Sequence, residues 1–259
     1  MAGPYVQYAG EHDTGRGPSF NLWNRYQSAI DEIQRGNLSR GQFFCEDFTE
    51  DITGKYVVTQ STAGTLVITD GFGGIGRFDS GSTTTAQGIN VQGPDNNHAT
   101  PAAAEIWLPV ASQQIVFEAR VRFNEDPAAS PPDFFLGLSE KDTSLIATGA
   151  NSSANHVGFE LINEDATLDF VNEKAGTRST TSDVKTLVED TWYKLGFEIL
   201  ALDRIKMYID GVLYTTEVTS NIPIVELAIS LSCLASGTAA AQPEVDCDWI
   251  QVLQQTAAE

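Results

Sequence analysis

In the stretch QQIVFEARVRF, residues 113–123, Ile115, Phe117, Ala119, Val121 and Phe123 take every second position, and Glu118, Arg120 and Arg122 stand between them. A strand turns successive side chains to opposite faces, so this spacing predicts one face in a core and one in water, as in an antiparallel sheet. KYVVTQ, TLVITD, EIWLPV, HVGFELI, ATLDFV, YKLGFEIL and VELAISLSCL read the same way, separated by clusters of Gly, Ser, Thr, Asn and Pro. RIKMYIDGVLYTTEV reads as a hairpin turning at Asp210-Gly211. Many short strands with no helical period among them predict an all-β sandwich. With 259 residues and 41% hydrophobic content, the chain can bury a full core in one such domain.

The first 44 residues follow a different rule. Leu22, Trp23, Tyr26, Ile30 and Ile33 lie at helical spacing, with Ser19 behind Pro18 as a cap and Gly36 as a stop, which predicts a short amphipathic helix over roughly residues 20–35. An extended segment carrying Tyr5 and Tyr8 precedes it. The division expected is an arm over 1–44 and a sandwich over 45–259, with the arm's aromatics either docking outward or strapping the sandwich itself.

Charge divides at the same place. The arm holds four arginines, Arg16, Arg25, Arg35 and Arg40, against Glu11, Asp13, Asp31 and Glu32, so the formal net charge of −20 belongs wholly to the body. An acidic body of this kind repels nucleic acid and anionic membrane, so neither is an expected partner. No apolar leader or membrane-length run is seen, and a protein made in a cytoplasm is expected. Cys45, Cys233 and Cys247 are unclustered, with no metal-ligand spacing; they read as reduced thiols, two of them in the core.

Taken in order, DFFLGLSEKDTSL, HVGFELINEDATLDFV, the Trp192-Tyr-Lys-Leu-Gly strand, YIDGVL and VDCDWIQV resemble the concanavalin A-like, laminin-G-like jelly rolls over about residues 43–255. The set is similar, more narrowly, to versions in tailed-bacteriophage virion proteins, including an arm that ends in a run such as FFCEDF. The resemblance implies an antiparallel jelly-roll β-sandwich in which VDCDWIQV lies beside FFCEDFTE. It also puts Glu244, Asp246 and Asp248 in question, because a glucanase branch of this fold uses a Glu-x-Asp-x-Glu strand as nucleophile, support and proton donor. Glu244 and Asp246 match the first two positions, but Asp248 replaces the donor with a shorter side chain, and the motif stands far from the mid-chain place it has in glucanases. The expected arrangement is three carboxylates on the outer edge of a closing strand, with Val245, Cys247 and Trp249 in the core. No catalytic residue is assigned, and the chain is expected not to be an enzyme.

Other motifs carry less. GFGGIG, residues 71–76, has the spacing of a dinucleotide loop, but RFDSGSTTTAQG after it has no helical period, so an inter-strand loop is expected and no cofactor. His12, His98 and His156 lie far apart, and His156 reads as a satisfied strand-end side chain. PDNN (94–97) and NED (163–165) read as turns before calcium loops, and no metal is assigned.

The resemblance implies a virion structural protein, a capsid decoration or cement protein on the capsid surface. Its partner would be the major capsid protein, reached through Tyr5, Tyr8, Leu22, Trp23, Tyr26 and Ile30, and by analogy with cement proteins it would form a trimer. The alternatives are a carbohydrate- or receptor-binding jelly roll of a phage head or tail fibre, with surface carbohydrate as ligand, and then a glucanase-like glycosidase.

Overall fold

The computed structural model describes residues 41–49, 55–61, 64–69, 74–93, 105–142, 144–147, 150–151, 154–162, 166–214, 217–237 and 240–256. The helix expected over 20–35 and the PDNN and NED turns lie outside these residues.

Among the described residues the chain runs through β1 (Gly41–Glu46), β2 (Val57–Ser61), β3 (Thr65–Ile68), β4 (Gly76–Asp79), β5 (Gly88–Gly93), β6 (Gln113–Phe123), β7 (Pro132–Ser139), β8 (Ile146–Ala147) and β9 (Ala150–Asn151). It continues through β10 (His156–Leu161), β11 (Thr167–Lys174), β12 (Thr177–Thr186), β13 (Trp192–Leu200), β14 (Arg204–Ile209), β15 (Val212–Leu213), β16 (Ala228–Ala235) and β17 (Glu244–Thr256). The first sheet has the order β15-β14-β13-β6-β17-β4-β3, with β1 also on β17, and the second has the order β12-β11-β10-β7-β16-β5-β2. The pair makes an antiparallel jelly-roll sandwich, the fold the sequence implied.

The core lies between the sheets and is rich in aromatic rings. Phe117 of β6 stacks on Phe197 of β13 at 4.9 Å, and Phe197 meets Phe170 of β11 at 5.8 Å, so the first sheet locks onto the second through ring contacts. β6 occupies the residues its period-two pattern marked, and the hairpin between β14 and β15 turns at Asp210 and Gly211, both at positive φ as a tight two-residue turn requires. β1 pairs with β17 from Phe43 opposite Leu253 to Glu46 opposite Ile250, so FFCEDF and VDCDWIQV are neighbours as expected. Cys233 and Cys247 are buried free thiols and Cys45 is exposed.

Three segments depart from the sequence reading. EIWLPV is no strand; only Trp107 bridges Leu227, with its ring fully buried. TRSTTSDVKT, too polar to show alternation, is the edge strand β12, which needs no second buried face. After the glycines of GFGGIG the chain enters β4, so no helix begins there and no helix dipole is available for a pyrophosphate.

Candidate functional site

β17 is the meeting place of β1, β4 and β6, and its outward face carries the acidic row. Asp246 stands between Arg77 of β4 and Arg122 of β6, its cross-strand partners. The Arg77 fork donates Nε–H to Oδ1 at 2.8 Å and Nη2–H to Oδ2 at 3.2 Å, while Arg122 Nη2 donates to Oδ2 at 2.5 Å. Burial alone pushes this carboxyl up, but the two guanidiniums outweigh it and hold Asp246 below the usual carboxylate range. Arg77 also reaches Glu244 at 3.0 Å, and Arg120 reaches Asp248 at 2.6 Å. Both Arg120 and Arg122 lie over the Trp192 ring, at 4.6 and 4.9 Å.

Asp246, with both oxygens occupied by arginine and its charge held, acts as a cross-strand tie, and Glu244 and Asp248 add single contacts to Arg77 and Arg120.

Two expectations for this strand need correction. Asp246 is not exposed; its side chain is fully buried under its arginine partners. Trp249 is not in the core. The register of β17 against β6 slips between Cys247 and Trp249, leaving Asp248 as an extra residue, so Trp249 turns outward opposite Arg120 and Ile250 fills the core in its place. A bulge of this kind reverses the facing of everything beyond it. Trp249 and Trp192 thus stand half-buried on the outward face, flanking β6.

The outward face of the second sheet is closed. Phe135 of β7, Val171 of β11 and Leu234 of β16 pack against Leu145 and Ile146 in the segment that follows β7. Amide and hydroxyl groups tie that segment down. Gln92 donates to Ser139 and Ser230 hydroxyls, each at 2.9 Å, and accepts from the Asp142 amide at 2.9 Å, while Asn90 donates to the Asp142 carbonyl at 2.9 Å. Glu160 pairs with Arg178 on this face.

His156 opens β10 here and is fully buried, its ring edge-on to Phe135 at 5.6 Å. Its Nδ1 lies 2.7 Å from the Ala154 carbonyl, to which it donates as N–H, and its Nε2 has no hydrogen-bond partner among the described residues. Burial pushes the imidazole down to about 4, against the raising effect of the Ala154 bond, so the ring is neutral. The strand-end position was expected; the half-satisfied ring was not. No group of three or more potential metal-binding side chains is found among the described residues. Tyr5, Tyr8, Leu22, Trp23, Tyr26 and Ile30 lie outside those residues.

The jelly-roll sandwich is similar to that of several solved structures, glucanases among them. An endo-1,3-beta-glucanase from Streptomyces sioyaensis superposes with a TM-score of 0.56 at 13% identity, covering 83% of this chain and 97% of that one. The protein SO2946 of unknown function from Shewanella oneidensis MR-1 superposes with a TM-score of 0.55 at 14% identity, over 88% and 95%. A carbohydrate esterase from the Shiga toxin-encoding bacteriophage phi24B superposes with a TM-score of 0.52 at 12% identity, over 83% and 98%. The model of the SO2946-like C-terminal domain matches residues 73–248, and the chain belongs to that family. No curated protein matches it.

These likenesses correct the expectation that the chain is not an enzyme, because glucanases and a carbohydrate esterase are built on the same sandwich. The exclusion rested on one strand, β17. Its arginine ties describe how Asp246 is held and do not speak for the rest of the fold. At these identities the likeness fixes the fold and not a reaction.

Proposed function

We propose that the chain is a structural protein of a phage virion, a decoration protein that docks on the major capsid protein through residues 1–44. The observation that carries this reading is the coincident break in pattern and charge: a neutral, aromatic, amphipathic arm joined to a sandwich that holds the whole −20. A neutral arm can lie on a shell without repulsion, while the acidic body faces solvent and keeps particles apart. The ties of Asp246 and the closed face around Phe135 give the body two self-contained surfaces, which suits a display role. Electron microscopy of purified virions, with full chain and chain lacking residues 1–40 added to undecorated heads, tests it. Density on the shell that needs the arm supports the reading; its absence with the full chain refutes it.

A carbohydrate-binding or carbohydrate-cleaving jelly roll is the second reading, favoured by the outward turn of Trp192 and Trp249 beside arginine and carboxylate groups. Such rings stack on sugars while the charged groups bond hydroxyls. Binding and hydrolysis assays on β-glucans, with a Trp249→Ala control, decide it.

A further inference from the structure

The outward face of the first sheet changes character along β17. Beside β4 it is the arginine–carboxylate ladder; beside β1 it becomes apolar and dry. Val116 of β6 and Leu253 of β17 are cross-strand partners on this face, yet they are 3% and 1% exposed. Phe43 of β1 and Tyr208 of β14 pack at their flanks. Glu198 of β13, beside Val116 on the same face, is 1% exposed. Glu118, the next outward residue of β6, has its carboxyl pushed up to about 7 by desolvation, against the lowering effect of Lys194. A sheet face open to water would keep a leucine exposed and a glutamate hydrated. The paired strands lie in the same sheet and flank these residues, with Phe43 and Tyr208 packed at the edge and the Tyr208 hydroxyl and the Gln114 amide donating to Glu198.

We infer that this patch is the seat of the amphipathic stretch Leu22–Ile33 of the same chain. The arm joins the described structure at Gly41, opposite Gln255 and two residues from Phe43, at the border of the patch. Seven residues separate Ile33 from Gly41, a span of up to roughly 24 Å when extended, so the tether reaches the whole patch. Leu22, Trp23, Tyr26, Ile30 and Ile33 form the apolar stripe that the seat requires. A short tether gives the arm a high effective concentration over any second copy.

The seat itself does not depend on the virion reading. Combined with that reading, it divides the arm into a root anchored on the sandwich and a Tyr5–Tyr8 segment left to meet the capsid.

Amide hydrogen exchange on the isolated full chain tests the seat without any capsid. Amides of residues 22–33 are expected to exchange at least about tenfold more slowly in the wild type than in Ile30→Asp, with the exchange of β6 and β17 unchanged between them. Leu253→Asp, made from the seat side, is expected to release the same amides. Equal exchange of residues 22–33 in wild type and Ile30→Asp overturns the inference. So does protection that appears only at concentrations where sedimentation shows an oligomer, since the occupant would then be a second copy.

Discussion

On the outward face of the first sheet Asp246 is enclosed by charge, whereas on that of the second sheet His156 is enclosed beside Phe135, with one ring nitrogen unpaired among the described residues. Both groups are fully removed from water. The aspartate is kept ionised because two guanidiniums replace its hydration, and the histidine is kept neutral because burial outweighs its single bond to the Ala154 carbonyl. A buried polar group is thus tuned by what the facing strands bring to it: β4 and β6 bring arginine to β17, and β7 brings aromatic carbon to β10.

Breaking the second face should have the largest effect. Phe135→Ala opens a cavity among Leu145, Ile146, Val171 and Leu234 and is expected to cost about 3–4 kcal/mol in denaturant melts. Asp246→Ala, which leaves Arg77 and Arg122 facing each other without their anion, is expected to cost about 3 kcal/mol. If it melts like the wild type, the ladder contributes no stability. The bulge makes a paired prediction: Ile250→Ala is expected to cost about 2–4 kcal/mol, and Trp249→Ala, on the half-buried side, about 1 kcal/mol. The reverse order would show that Asp248 is not the extra residue.

The effects of pH have opposite signs on the two faces. His156 has its folded value lowered to about 4 from an ordinary 6.5, so the unfolded chain binds more protons between those limits, and its contribution is lost as pH falls from 6.5 to 4. Glu118 has its folded value raised to about 7 from an ordinary 4.5, so the folded chain binds more protons there, and its contribution is lost as pH rises from 4.5 through 7. Glu125, also raised to about 7 by burial, adds to the second trend. Glu118→Gln should therefore raise Tm at pH 8 relative to wild type and change it little at pH 4.5. A Tm difference that is flat with pH would show that Glu118 is hydrated.

The strands with strict alternation were legible because one face meets a core and the other does not, as in β6, and the Asp210-Gly211 turn was legible from its backbone demand. β12 was hidden because an edge strand of serine and threonine carries no pattern. The facing of Trp249 was hidden for a different reason. A bulge exists only relative to the partner strand, and nothing in VDCDWIQV marks Asp248 as the residue left unpaired by β6. The ties of Asp246 come from Arg77 and Arg122, more than a hundred residues away in the chain, so no local reading could have shown that an acid expected on an outer edge is buried between two arginines. The state of His156 depends likewise on its burial edge-on to Phe135, which comes from a different strand.

The central place of β17 has a kinetic consequence. Residues 244–256 pair with residues 41–46, 76–79 and 113–123, so the first sheet closes only through contacts spanning well over a hundred residues. Such pairing forms late and slowly, because the chain must lose loop entropy before any ladder bond repays it. Until β17 inserts, β6 and β4 each present an open edge, and β6 has alternating large apolar side chains. A chain halted at that stage is a template for strand exchange with its neighbours. Refolding yield should accordingly fall with protein concentration more steeply than the stability of the finished sandwich would suggest.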